Sequence, residues 1–119
     1  MGSVREFLLH PDSEETSSGN GESFDTLVAT SGLAHVGSEI VRILFVVTAV
    51  GPNSAIDLKI EGITDSGNVC EIGTFPQLGT TTSTSIEILV CPRRIRCTWF
   101  IRGLANASVT FECIAVRIV

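Results

Sequence analysis

Apolar and polar residues alternate at a period of two along most of this chain, and no stretch repeats at the spacing of an amphipathic helix. A strand sends successive side chains to opposite faces, so such alternation predicts strands with one buried face. The clearest case is the closing pair. In Arg94–Arg102, Ile95, Cys97, Trp99 and Ile101 alternate with Arg94, Arg96, Thr98, Phe100 and Arg102; in the next run Val109, Phe111 and Cys113 alternate with Ser108, Thr110 and Glu112. Gly103 and Asn106 lie between the two runs and tolerate turn geometry, which predicts a hairpin with Trp99 inside.

Upstream, Val41, Ile43, Phe45, Val47 and Ala49 form an unbroken apolar phase, while the opposite phase mixes Arg42, Leu44, Val46 and Thr48. Both faces are then partly covered, as in a central strand or one beneath a subunit contact. Ile56, Leu58 and Ile60 point inward against Asp57, Lys59 and Glu61, and Asp65-Ser66-Gly67-Asn68 turns the chain into Val69–Phe75, with Cys70, Ile72 and Phe75 inward. The threonine-rich run from Pro76 to Ser85 reads as a loop, and Ile86, Ile88 and Val90 as another inward set that Pro92 ends. Nearer the start, Ser23–Thr30 reads as a strand, followed by an irregular connection through Gly32, His35 and Gly37. Val4–Leu9 reads as an edge strand or an arm that Pro11 ends, since proline donates nothing to a ladder. With the acidic, glycine-containing run after it, residues 1–21 are expected to be a flexible N-terminal arm and residues 22–119 the folded domain. About eight short strands at regular spacing predict an all-β fold, a single-domain antiparallel β-sandwich, jelly-roll-like, with an immunoglobulin-like strand order also open.

Composition narrows the chemistry. The 119 residues suit one domain with its own core, and 8 basic against 13 acidic residues give a net charge of −5, which disfavours a nucleic-acid partner. The four cysteines make no CxxC pair, so no zinc site or other metal is expected. Cys97 and Cys113 share the apolar phase and read as buried free thiols, with a disulfide between them as the alternative. Residues 1–10 lack a secretory signal, which points to synthesis in a cytoplasm; the run Ile40–Val50 is too short for a membrane span and Arg42 interrupts it.

Catalytic candidates are few. His10 and His35 fall in expected arm and loop sequence and read as surface histidines. Asp57, Glu61, Glu71, Glu87 and Glu112 have the outward phase of ordinary strand carboxylates, so neither a glycosidase pair nor any other catalytic residue is assigned, and no cofactor is expected. Phe100 stands apart, because it shares the outward phase with Arg94, Arg96 and Arg102. An aromatic among arginines is a common interface composition, and that face is the preferred contact surface.

Ile56-Asp57-Leu58-Lys59-Ile60-Glu61-Gly62, the hairpin Asp65–Asn68, Gly73-Thr74-Phe75, and the run Arg94–Gly103 followed by Ser108-Val109-Thr110-Phe111 together resemble the small β-sandwich proteins that decorate or cement the capsids of tailed bacteriophages. The resemblance implies a non-enzymatic structural protein on the capsid exterior, bound to the major capsid protein, and a homo-oligomer, dimer or trimer. The implied contacts are Arg94, Arg96, Phe100 and Arg102, with Val4, Phe7 and Leu8 from the arm. A virion-associated carbohydrate- or receptor-binding sandwich is the rival expectation.

Overall fold

The computed structural model describes residues 4–21, 24–25, 41–64, 66–88 and 94–118, and of Val4, Arg5, Phe7, Phe24, Asp25, Arg117 and Ile118 it describes the backbone alone. All regular structure there is strand: β1 (Val4–Glu15), β2 (Gly19–Asn20), β3 (Phe24–Asp25), β4 (Val41–Val50), β5 (Ala55–Ile63), β6 (Val69–Thr74), β7 (Thr82–Ile88), β8 (Arg94–Arg102) and β9 (Val109–Ile118). They form two antiparallel sheets, one in the order β1-β9-β4-β7 and the other β2-β8-β5-β6, with β3 also pairing β8. Gly19 and Asn20 face Trp99 and Thr98, and Phe24 and Asp25 face Ile95 and Arg94, so β2 and β3 are one interrupted edge.

The order follows a simple rule. Each strand pairs with the one equally far from the other end: β1 with β9, β2 and β3 with β8, β4 with β7, β5 with β6. That is a long hairpin ladder rolled over on itself, and the β4·β9 and β5·β8 pairings then weld the two halves of each sheet. This wrapping is the jelly roll, and it decides between the two strand orders that alternation left open.

The core is the space between the sheets. Val41, Ile43, Phe45 and Val47 of β4 and Val109, Phe111, Cys113 and Ala115 of β9 face Ile56, Leu58 and Ile60 of β5 and Ile95, Cys97 and Trp99 of β8. Phe45 meets Phe75 edge-on with centroids 5.2 Å apart, and Phe111 meets Trp99 at 5.6 Å. The two closing strands are there with Trp99 inside, but they are not the expected hairpin. β8 pairs with β2, β3 and β5 in the second sheet and β9 with β1 and β4 in the first, so the turn between them carries the chain from one sheet to the other. Gly103 in that turn has φ +144°, and a Cβ there would stand 2.7 Å from the Asn53 carbonyl, so a side chain is excluded twice over.

Three further expectations are corrected. The arm is the first: Val4–Glu15 is not separate from the domain but runs the length of β9 as the edge of the first sheet. Pro11 does not end it, because the ladder shifts register between Leu8 and His10 and again between His10 and Ser13, and proline is tolerated at bulges and on edges. The first shift also overturns the surface assignment of His10. One extra residue turns Leu9 and His10 to the same side, and both are buried. Second, Thr82–Ser85 belongs to a strand, since β7 pairs with β4 from Val47↔Thr82 to Val41↔Ile88; β-branched threonine suits an edge strand as well as a loop. Third, Cys70 faces the side of its partner Gly62 but at the corner of edge strand β6, and it is exposed. The expected strand Ser23–Thr30 apart from residues 24–25, the connection through Gly32, His35 and Gly37, and Ile40, Val90, Cys91, Pro92 and Arg93 lie outside the described residues.

Candidate functional site

Two outer faces are available for function, one on each sheet. On the second sheet the outward residues of β5 and β8 meet in cross-strand pairs: Asp57 opposite Phe100, Lys59 opposite Thr98, and Glu61 opposite Arg96. The expected arginine cluster is therefore not a free basic patch. Arg96 Nε donates to Glu61 Oε1 at 2.9 Å, Arg94 Nη2 donates to the Thr64 carbonyl at 2.6 Å, and Arg102 is ion-paired with Asp57. Phe100 stays 52% exposed, with the Arg102 guanidinium over its ring at 4.8 Å from the centroid.

Glu61 is outward in phase yet buried, because Arg96, Thr98 and Lys59 close over it. Burial pushes its carboxyl up, but the hydrogen bonds from Thr98, at 2.5 Å, and Arg96, with the charges of Arg96 and Lys59, outweigh that and leave it below the usual value. A general acid needs the opposite shift.

Pairing at one level carries a polar row across the whole sheet: Asn20 faces Thr98, Thr98 faces Lys59, and Lys59 faces Thr74. This row is the floor of a hollow of about 600 Å³ that Phe100, Arg102 and Asp57 wall on one side and Ser18 and Gly19 border at the end. Trp99 lies beneath. The residue is 8% exposed, its Nε1 donates to the Ser17 carbonyl at 3.0 Å, and Gly19 passes over its ring where a Cβ would come within 3.2 Å. The core assignment of Trp99 holds, and the same residue supports the hollow.

The outer face of the first sheet has a different character. Leu8 faces Ile114 and Ile114 faces Leu44, so an apolar row crosses β1, β9 and β4 and ends at Ser85 of β7. Leu8 is 49% exposed; Ile114, Leu44, Val46 and Val116 are half-buried around it. Leu44 and Val46 also line a shallow hollow of about 330 Å³ with Ser83, Thr84 and Ser85. Charge flanks the row at the neighbouring levels: Glu112 opposite Val46 on one side, and on the other Glu6 and the Arg42–Glu87 ion pair at the level of Val116. The sequence-derived contact residues thus divide between opposite faces: Arg94, Arg96, Phe100 and Arg102 on one, Leu8 on the other. The backbones of Val4 and Phe7 lie in β1, but their side chains are outside the described residues. Alternation alone did not reveal the apolar row, because its members come from three distant segments and meet only through register.

The polar interior holds one further cluster. His10 stacks on Phe111 with centroids 3.9 Å apart and meets the Trp99 edge at 4.7 Å. Its Nδ1 lies 3.2 Å from the Phe111 carbonyl and its Nε2 2.7 Å from Glu15 Oε2. A carbonyl only accepts, so Nδ1 is the donor in that bond. Cys97, Cys113 and Cys70 are free thiols, and Cys97 Sγ donates to the Leu9 carbonyl at 3.6 Å. The hydrogen bond with Cys97, burial and the nearby Glu112 carboxylate hold the Cys113 thiol well above its ordinary range, which keeps it protonated and inert. Among the described residues no three His, Cys, Asp or Glu side chains converge as metal ligands would.

No family model and no curated protein matches the chain. Among solved structures, it is similar to a chain of the T13 particle of infectious bursal disease virus, with TM-score 0.59 and 14% identity over 98% of this chain and 31% of that one. A chain of the Gx strain of the same virus gives TM-score 0.58 and 10% identity over 99% and 32%. The prophage-derived protein YomS matches over 100% of this chain and 96% of its own at TM-score 0.46 and 13% identity. This chain spans about a third of the length of the virus-particle chains, and the shared feature is the fold.

Proposed function

We propose that this protein is a structural component of a virion: a decoration or cement protein that docks on the outer capsid lattice of a tailed phage through the apolar face of its first sheet. The observation that carries the reading is the row Leu8–Ile114–Leu44, continuous across three strands, bordered at one end by a hollow lined with serine and threonine and flanked by charge on its two sides. An apolar centre with a polar rim is the anatomy of a protein–protein contact. The jelly-roll fold shared with virus-particle chains supports it as a fold-level analogy only. The partner is the major capsid protein, with the chain itself a dimer or trimer, and no catalysis is involved. A protein that binds only the assembled lattice stabilises it by mass action, which needs no chemistry beyond the contact.

Cosedimentation with assembled particles tests this. The protein is expected to saturate at a fixed copy number per particle, and Leu8→Asp with Leu44→Asp to lower occupancy at least ~10-fold, equivalent to about 1.4 kcal/mol, while circular dichroism and unfolding midpoint stay close to the parent. Undiminished occupancy of that double variant removes the first sheet's face from the contact.

A further inference from the structure

We infer that the trough on the outer face of the second sheet is a binding site for a neutral oligosaccharide, a function separate from lattice docking. The two faces belong to opposite sheets, so a protein seated on a capsid through Leu8 and Leu44 leaves this trough open.

The shape comes first. The floor row Asn20, Thr98, Lys59, Thr74 crosses four neighbouring strands, and three strand spacings amount to roughly 14 Å. An extended ligand fits that length better than a single sugar does. Its chemistry comes next. The floor presents the Asn20 amide, the Thr74 hydroxyl and the Lys59 ammonium, which donate and accept toward sugar hydroxyls. The Thr98 oxygen can only accept, because its proton goes to Glu61. Phe100 rises beside them as the one large exposed apolar surface of the trough. Arg102 lies over part of the ring and is itself held by Asp57, to which Gln77 Nε2 also reaches at 3.4 Å. That holds the ring steady, and a fixed aromatic offers a sugar's C–H face contact area at little entropic cost. Below the floor, Trp99 and its bond to Ser17 fix the β2 edge, so the trough is formed before any ligand arrives.

The charges narrow the ligand class. Arg102 is paired with Asp57 and Arg96 with Glu61, and Lys59 stands 3.7 Å from that same Glu61 carboxylate, so three cations face two carboxylates. Both arginines are committed to a carboxylate, and the single surplus charge gives a nucleic acid or a polyanionic glycan little to hold. A peptide strand is also a poor occupant of the trough's middle, because the inner floor strands β8 and β5 have sheet neighbours on both sides and expose no unpaired edge there.

The test is a glycan array that includes neutral bacterial and plant oligosaccharides, followed by calorimetry of the full chain with the strongest ligand, and with maltohexaose and cellohexaose. Binding is expected for neutral chains of several sugars, little changed by added salt. Phe100→Ala should weaken it at least ~10-fold, Asn20→Ala should weaken it to a smaller extent, and Phe100→Trp should retain it. Because Phe100 is exposed, all three variants should unfold at the parent's midpoint. An array with no neutral ligand, binding confined to acidic glycans and lost in high salt, or affinity indifferent to Phe100→Ala each overturns the assignment. Particle cosedimentation of Phe100→Ala separates the two sites: occupancy is expected to be unchanged, and its loss would place the capsid contact in this trough.

Discussion

The two outer faces come from the same alternation and end up opposite in character. On the first sheet an apolar row crosses the middle, with Leu8, Ile114 and Leu44 in register, and the charged side chains stand at the levels on either side of it. On the second the centre is polar and internally paired, Glu61 with Arg96 and Thr98, Asp57 with Arg102, and one aromatic stands among them. Alternation says only which side chains leave the core. What a face does depends on which outward residues become neighbours, and that is a property of register.

The strongest way to break the contrast is to remove what both faces rest on. Phe111 is fully buried and packs against Phe45, Trp99 and His10. Phe111→Ala is expected to cost about 3–5 kcal/mol in urea unfolding, and particle and saccharide affinity should fall together as folded protein is lost. A cost below about 1 kcal/mol, or one affinity surviving intact, contradicts a shared core.

A smaller effect should belong to the second face alone. Glu61 has a folded-state pKa below its unfolded value, so its stabilisation is fully present above the unfolded value near 4.5 and disappears as pH falls through the lower folded value. Glu61→Gln keeps the shape and removes the charge, leaving Arg96 without its partner. A loss of about 1–3 kcal/mol is expected at pH 7, shrinking as pH is lowered below that range. Unfolding midpoints measured from pH 7 down to about pH 3 check the sign; a gap that widens in acid refutes it. Particle occupancy of the variant should follow its stability and nothing else.

Much of this was legible in the sequence, and the misses come from what pairing adds to it. The inward phases of β4, β5, β8 and β9, the core position of Trp99, the exposure of Phe100 and the turn at Gly67 all follow from period-two patterning and glycine. His10 was misplaced because a bulge leaves no trace in alternation: Leu9 and His10 are simply consecutive letters until the ladder with β9 slips by one residue. Reading Pro11 as a stop compounded the error, since that rule holds for central strands and β1 is an edge. The burial of Glu61 was hidden for another reason. Its cover, Arg96 and Thr98, lies more than thirty residues away and arrives only through the β5·β8 register.

The finest comparison uses an ion pair that each face owns. Arg42–Glu87 spans β4 and β7 on the first face, and Arg102–Asp57 spans β5 and β8 on the second. Both arginine side chains are 56% exposed, so solvent screens both pairs, and double-mutant cycles should find each worth about 0–1 kcal/mol. For stability the two are then interchangeable. For function they are not: Arg102 and Asp57 position Phe100, so Asp57→Ala should lower saccharide affinity out of proportion to its effect on unfolding, whereas Glu87→Ala should leave it alone. Equal effects of the two substitutions on saccharide binding would mean that Asp57 contributes through bulk electrostatics alone, and raising the ionic strength to about 1 M, where the screening length is only about 3 Å, would then erase both.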